Sequence, residues 1–320
     1  MEEKPARILE RLVNDCLKIA PCDLEVRYAE PMADHSTFKV GGPADCFLRP
    51  SGAGFPAFAS ALLASARAQD VLVFVLGGGA NIVVADSGVR GIVLDTGGWA
   101  GDTEPWEGGL RFRSGTSLND AAEAAALAGF SGLEFLAGMP GSIGGAVWMN
   151  ARCYGKQVSD VLAETEGLDF SREPWDKPEH FSLPTDLSEF GYKRSPFQSR
   201  QVMILSASFR LVPGDFGAVR AKMAEYRHDR EDKGHFRYPS AGSVFKNNPA
   251  FGGPTGKIIG DLGFRGLRIG GAQVAPWHGN IIVNTGGATA SDIRALTQEL
   301  ASRVKAATGF DLEPEILFVP

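Results

Sequence analysis

Apolar residues recur at helical spacing across residues 5–20, with charged residues between them, and predict an amphipathic helix at the start of the chain. CFLRP (46–50) reads as a strand ending at a proline, and ALLASARAQD (61–70) as a second helix. VLVFVLGGG (71–79) is a continuous apolar run that ends in glycines, the mark of a buried strand, and short strands follow near 82–85 and 91–95. From residue 96 the texture changes. GGWAGDTEPWEGG is rich in turn formers, LRFRSG is a strand, and SLNDAAEAAALAG is a helix closed by a glycine. Strands and turns alternate to about residue 213, and a polar helix covers 216–232. TGKIIGDLG then predicts a short helix, QVAPW and NIIVNTG predict strands, and SDIRALTQELASRVKAATG predicts a helix with a serine N-cap. EPEILFVP closes the chain as a strand. The pattern predicts an α+β protein with mixed sheets, no internal repeat, and three parts: 1–95 with 301–320 returning to it, 96–230, and 231–300.

Composition narrows the partners. Among 320 residues, 32 basic side chains face 38 acidic ones, for a net charge of −6 with no block of like charge. That balance argues against nucleic acid or an anionic membrane as a partner, while leaving room for a local basic pocket. The N-terminus lacks the unbroken apolar core of a signal peptide, and no run approaches the ~20 residues of a membrane span. A cytoplasmic, monomeric protein is expected. Four cysteines without CxxC spacing and five scattered histidines give no zinc signature, so no metal is expected and the thiols read as reduced. Glycine is the outlier at 40 residues, one in eight against an average near ~7%. The glycines are clustered, which points to backbone packed close to a ligand or held in positive-φ turns.

LGGGANIVVADSGVRG (76–91) runs from the buried strand into three glycines, then into the β-branched run Ile82, Val83 and Val84. The dinucleotide fingerprint needs a helix there, so this loop is something else. It could present consecutive amides to an anion, or form a tight hairpin. GLEFLAGMPGSIGGAVWMNARCYG (132–155) sets Gly138, Gly141, Gly144 and Gly145 around Pro140. Such backbone can lie flat against a planar ligand, or fill a core turn. With STFKVGGPAD (36–45), the loops together point to an extended cofactor carrying phosphates and a flat ring. PSAGSVFKNNP (239–249) leaves Ser243 open to two readings, a turn serine bonding its own backbone or the proton donor of a reaction.

STFKVGG, LGGGANIVV, LEFLAGMPGSIGGAVWMNA, GYKRSPF, PSAGSVFKNNP, RIGGAQV and LEPEI stand in this order along the chain. From about residue 31 to the end, the sequence resembles the UDP-N-acetylenolpyruvoylglucosamine reductase (MurB, UDP-N-acetylmuramate dehydrogenase) family of peptidoglycan precursor synthesis. The short gap between Ser195 and Ser243 resembles the form without the extra tyrosine-bearing loop. The resemblance implies a three-domain FAD-binding flavoprotein of the vanillyl-alcohol-oxidase/PCMH-like type with a C-terminal substrate-binding domain. Gly77, Gly78, Gly79, Ala80 and Asn81 would then hold the FAD pyrophosphate. Gly138, Pro140, Gly141, Ser142 and Gly145 would run along the flavin.

The implied reaction reduces an enolpyruvyl ether to a lactyl ether, with NADPH as co-substrate. Hydride goes to the vinyl CH₂ carbon, leaving carbanion character beside the carboxylate, and an acid must protonate that second carbon. The resemblance makes Ser243 that acid and Glu315 its partner near the C-terminus. One position departs from the family. Its Tyr-Arg-x-Ser-x-Phe pattern meets Tyr192-Lys193-Arg194-Ser195-Pro196-Phe197, so Lys193 replaces the arginine and loses its planar fork. Read as a strand, the segment points Lys193 and Arg194 to opposite faces, and Lys193 is the expected catalytic charge. Asn247 and Gln273, with Lys233, Arg230, Lys257 and Arg194, are the expected contacts for the sugar nucleotide. The alternatives are another FAD-dependent oxidoreductase on the same scaffold and a non-catalytic sugar-nucleotide-binding protein.

Overall fold

The amphipathic start of the chain is helical, as its spacing predicts: α1 spans Pro5–Ile19 and buries Leu9, Leu12, Val13 and Cys16. The computed structural model that shows this describes residues 5–171 and 178–320. The chain sorts into two compact units, one of Met1–Glu30, Asp45–Gly78 and Arg90–Arg227, the other of Pro31–Ala44, Gly79–Val89 and His228–Pro320.

In the first unit, α2 spans Phe55–Ala68 and begins six residues before the predicted 61. The Gly-Phe-Pro sequence reads as a breaker. Pro56, however, stands in the first turn, where no intrahelical N–H is needed, so the proline starts the helix instead. A four-stranded sheet takes the order Asp23–Pro31, Pro43–Ser51, Val89–Asp95, Val73–Leu76, with the last two parallel. Asp23–Pro31 was not predicted, although Leu24, Val26 and Tyr28 alternate with Asp23, Glu25 and Arg27; it is a mostly exposed edge strand. Phe55, Phe58 and Leu62 of α2 pack with the buried α1 residues and with Cys46, Leu48, Ile92 and Leu94 of this sheet.

A five-stranded antiparallel sheet takes the order Glu179–Pro184, Leu162–Asp169, Val202–Arg210, Gly109–Arg113, Thr103–Trp106. Its Leu168, Met203 and Leu205 join the core of the first sheet, while Ile204, Ala207 and Phe209 join a core with α3, Leu118–Leu127, and α4, Ile143–Met149. The change of parity between Ile204 and Ala207 has a local cause. Gly167 pairs with Ile204 and Glu166 with Ser206, so Leu205 is an extra residue, and such a bulge turns every later side chain to the other face. α5 spans Phe216–Asp232, as its polar pattern predicts.

In the second unit, Arg268–Ile269, Ala272–Val274 and Ile282–Asn284 form an antiparallel sheet. α6 spans Thr255–Asp261 and α7 spans Ala290–Thr308. Ile293, Leu296, Leu300 and Val304 of α7 pack on Val244, Phe245, Ile259 and Ile282. α7 is capped by Thr289, which accepts from the Asp292 amide in a reciprocal capping box, and not by a serine. Ser291 lies inside the first turn and donates instead to Asp86. The closing strand, Leu317–Val319, runs parallel to Ile82–Val84. All four cysteines are free, and burial pushes the Cys46 thiol up to about 12. Among the described residues no helix is long and apolar enough to cross a membrane, and no cluster of three or more side chains could hold a metal ion.

Candidate active site

Ser243 stands in a short extended stretch of the second unit that is paired on both edges. On one edge the Val244 amide donates to the Asn280 carbonyl (2.9 Å) and Ser243 faces Ile281. On the other the Glu315 amide donates to the Val244 carbonyl (2.7 Å), the Lys246 amide donates to the Glu313 carbonyl (2.9 Å), and Phe245 faces Pro314. Gly242, at φ +73°, lets the chain turn into this stretch. The Ser243 hydroxyl makes no hydrogen bond among the described residues, so it is not a turn serine closing on its own backbone.

Glu315 is the partner this arrangement brings up. It is 8% exposed, and Asn81 Nδ2 donates to its carbonyl (2.9 Å) while the Leu317 amide donates to the Asn81 carbonyl (2.9 Å). Its backbone is thus fixed between the Ser243 stretch and the 81 loop. Glu313 is exposed and pairs with Lys246 Nζ at 2.6 Å. Asn247 Oδ1 accepts from the Thr255 amide (2.9 Å), which orients that side chain at the start of α6. Gln273 Nε2 donates to the Gly266 carbonyl (3.2 Å). The expected phosphate cations are engaged with the protein itself: Lys233 Nζ with Asp229 (2.7 Å), Lys257 Nζ with Asp261 (2.5 Å), and Arg230 over the Phe236 ring (5.9 Å).

The same unit holds two half-buried imidazoles, His235 and His278, with ring centres 6.5 Å apart. Burial, then Arg230, His278 and Lys233, push His235 down to about 4. Burial and Arg265 push His278 down as well. Both rings are therefore neutral near pH 7.

The first glycine loop packs tightly on each side of Gly78. In the first unit a Cβ on Gly77 would lie 2.6 Å from Ser142 Oγ, and one on Gly78 would lie 2.6 Å from Gly141 Cα. In the second unit Gly79, at φ +60°, would drive a Cβ to 2.0 Å from the His35 carbonyl, while its own carbonyl accepts from the Thr37 amide (3.0 Å). The amides of Gly79 and Ala80 donate to no acceptor among the described residues. Adjacent open amides of this kind suit an anion.

The second loop, which the sequence leaves open between backbone lying flat against a ligand and a core turn, runs into the helix α4. After Gly138, at φ +74°, and the exposed Pro140, Ser142 caps α4, accepting from the Gly145 amide at 3.4 Å. The Ile143 and Gly144 amides are taken up by the carbonyls of Thr116 and Ser114 (2.9 and 2.8 Å). Beside them Ser114 Oγ and Thr116 Oγ1 are buried with no hydrogen-bond partner. Such orphaned hydroxyls fit a polar ligand along this edge. The sequence places Ser114 at the end of the LRFRSG strand and Ser117 at the start of a helix and assigns neither Ser114 nor Thr116 to the site; the run of small hydroxyl residues in RSGTS (113–117) was the available signal.

Lys193 and Arg194 do not lie in a strand. Gly191 and Arg194 exchange both backbone hydrogen bonds (3.0 and 3.1 Å), so Tyr192 and Lys193 form the tip of a tight turn, with Lys193 at φ +55°. Lys193 and Arg194 are therefore not placed on opposite faces of a strand, as the sequence predicts. The Arg194 guanidinium lies over Gly191, its Nε 3.3 Å from where a Cβ would stand. The turn is bolted to α4: Ser195 Oγ donates to the Trp148 carbonyl (2.6 Å), and Asn150 Nδ2 donates to the Gly191 carbonyl (2.9 Å). Gln198 Nε2 bridges the Trp148 and Lys193 carbonyls (3.1 and 3.2 Å).

Two family models match the chain. The C-terminal domain of UDP-N-acetylenolpyruvoylglucosamine reductase matches residues 234–319, and an FAD binding domain matches 57–169. The UDP-N-acetylenolpyruvoylglucosamine reductase of Treponema denticola is 39% identical over 307 residues, covering 92% of this chain and 93% of that one. The chain belongs to the UDP-N-acetylenolpyruvoylglucosamine reductase family. The reductase of Treponema pallidum is 37% identical, with coverage of 90% and 92%. The crystal structure of the reductase from Thermus caldophilus aligns with a TM-score of 0.72 at 30% identity, covering 93% of this chain and 100% of that chain. The FAD-binding architecture expected from the sequence agrees with the FAD binding domain match and with the alignment to the Thermus caldophilus reductase. The reductase match spans Ser243, Asn247, Gln273 and Glu315, and the FAD match spans both glycine loops. Lys193, Arg194, Arg230 and Lys233 lie between the two matched stretches.

Proposed function

We propose that the chain reduces UDP-N-acetylglucosamine enolpyruvate to UDP-N-acetylmuramate with NADPH and bound FAD, in peptidoglycan precursor synthesis. The observation that carries this reading is the Ser243 stretch held against the buried Glu315 in a chain of this family. FAD, when bound, supplies the hydride-transfer chemistry, with reducing equivalents from NADPH. The residues present fit it. Open amides at Gly79 and Ala80, in the run Gly77–Asn81, suit a pyrophosphate, and the orphaned hydroxyls of Ser114 and Thr116 beside the Gly138–Gly145 loop suit the polar edge of a ring.

Ser243 gives its hydroxyl proton to the carbon that bears the ether oxygen and the carboxylate, which completes the lactyl ether. A hydroxyl is a weak acid in water, and it serves here because a carbanion-like centre is a far stronger base. Glu315 stands as the proton partner of Ser243, and Lys193 supplies positive charge for the substrate carboxylate. Asn247 and Gln273 contact the sugar nucleotide, with Arg194, Arg230 and Lys233 at its charged groups. FAD binding falls to 1–95 with 301–320 and to 96–230, and substrate binding to 231–300. In this reading the protein works in the cytoplasm as a monomer, on a soluble sugar nucleotide, without nucleic acid or membrane.

Ser243→Ala tests the assignment. Under anaerobic conditions NADPH should bleach its flavin at the wild-type rate. Recovery of colour on adding the enolpyruvyl substrate should slow by about 10²–10⁴-fold, the usual worth of a general acid. Recovery at the wild-type rate would remove Ser243 from the mechanism.

A further inference from the structure

Asn280 lies 35 residues from Phe245 in sequence, is 3% exposed, and binds that residue with both ends of its side-chain amide. Asn280 Oδ1 accepts from the Phe245 amide (2.9 Å), and Asn280 Nδ2 donates to the Phe245 carbonyl (2.8 Å). A primary amide carries a donor and an acceptor on one edge, as a strand backbone does. Asn280 therefore supplies a strand edge with its side chain just before the strand Ile282–Asn284 begins. Its main chain adds a third bond, because its carbonyl accepts from the Val244 amide (2.9 Å). Three bonds from one residue thus fix Val244 and Phe245, the two residues that follow Ser243. The orientation of the amide is unambiguous, since Phe245 N–H needs an acceptor and the Phe245 carbonyl needs a donor.

Asn280 is itself held. Its amide donates to His278 Nδ1 (3.1 Å), which leaves the ring proton on Nε2, and Gly256 packs so closely that a Cβ there would meet His278 Cε1 at 2.9 Å and Asn280 Cβ at 3.3 Å. We propose that Asn280 is a positioning residue for the reductase reaction: it fixes the backbone after Ser243 so that the hydroxyl points at the carbon it protonates. The inference rests on the reading of Ser243 as proton donor. Asn280 touches neither substrate nor flavin in this account and acts only through Ser243.

Asn280→Asp keeps size and acceptor but sets a carboxylate oxygen against the Phe245 carbonyl, so the stretch shifts. The test uses full-length flavin-loaded protein and follows the two half-reactions separately by the visible absorbance of oxidised flavin. Bleaching by NADPH should stay at the wild-type rate. Reoxidation by the enolpyruvyl substrate should slow roughly 10- to 100-fold, as a misplacement of about 1 Å can. The solvent deuterium effect on reoxidation should rise, since proton delivery now limits it. In a Ser243→Ala background Asn280→Asp should add no further loss, because a residue acting through Ser243 has nothing left to position. Equal slowing of both half-reactions, or the full loss repeated on top of Ser243→Ala, would overturn the proposal. If Asn280→Asp does not fold, His278→Ala, one bond further out, takes its place. A smaller slowing confined to reoxidation supports the proposal, and unchanged reoxidation overturns it. Slow reoxidation in Ser243→Ala with normal reoxidation in Asn280→Asp defeats the proposal alone. Normal reoxidation in Ser243→Ala defeats the reading beneath it, and the proposal with it.

Discussion

The Glu315 amide donates to the Val244 carbonyl at 2.7 Å, which ties a buried carboxylate residue to the position next to Ser243. Two main-chain bonds hold Glu315, to Val244 on one side and to Asn81 on the other, and Glu315→Gln leaves both groups in place. Glu315→Gln should fold, keep its flavin and bleach normally with NADPH. Its reoxidation by substrate should slow by about 10²–10⁴-fold if the carboxylate carries or relays the proton. A variant that reoxidises at the wild-type rate in a single-turnover measurement would make Glu315 structural.

Lys193 can be separated from Arg194. Its left-handed backbone costs about 1–2 kcal/mol, while glycine would add about 0.5–1 kcal/mol of unfolded-state entropy. Lys193→Gly should therefore unfold within roughly 3 °C of wild type, or slightly above it, on a scale of about 2–4 °C per kcal/mol. Its reoxidation by substrate should be much slower, and Lys193→Arg should recover most of the rate. Arg194→Ala removes an exposed guanidinium lying over Gly191 and should cost less than about fivefold, the worth of an exposed charge contact. Steady-state kinetics on the three variants decide it, and a larger loss in Arg194→Ala would hand the family arginine's role to that residue.

Elements whose signal is local were legible in the sequence. α1 and α7 declare their amphipathic spacing, and the strand Val73–Leu76 declares itself as an apolar run into glycines, although at the sheet edge only Leu76 is fully buried. α4 was hidden because Gly144 and Gly145 each cost about 1 kcal/mol of helix propensity. It forms because Ser142 caps it and Ile143, Ala146 and Val147 bury one face. The Tyr192–Lys193 turn was hidden because a lysine stands where glycine or asparagine would have announced positive φ. Ser243, Glu315 and the glycine loops could be named from motif order, since each motif is a contiguous string. Asn280 could not. Its partner lies 35 residues away, and nothing local marks an asparagine that pairs as a strand edge.

Gly79 should tolerate no side chain. Alanine there must accept the left-handed backbone, at about 1–2 kcal/mol, and displace the His35 carbonyl from 2.0 Å, at about 1–3 kcal/mol more. Gly79→Ala should lower the unfolding midpoint by roughly 5–15 °C at about 2–4 °C per kcal/mol. It should also purify with less bound flavin, because moving the loop moves the open amides of Gly79 and Ala80. Normal flavin content in a destabilised Gly79→Ala would confine the loop's glycine requirement to packing.

The neutral His235 gives stability a specific pH window. Its folded value of about 4 lies below the ordinary 6.5, so between these limits the unfolded chain binds more protons than the folded one. Stability must then be complete above pH ~6.5, fall as pH drops toward ~4, and fall no further from this group below that. His278 is shifted in the same direction and adds to the loss. The exposed Asp86 and the buried Asp169 act in a lower window. Burial raises them, but hydrogen bonds from Ser291, Ala290, Ser171 and Arg200 hold both below 3.8, so their contribution goes only under that pH. Unfolding midpoints measured from pH 8 to pH 4 should slope downward below about 6.5. His235→Gln should flatten that slope while leaving the fall below pH ~4 in place. An unchanged slope in His235→Gln would assign the window to His278 alone, and the double variant with His278→Gln should then abolish it.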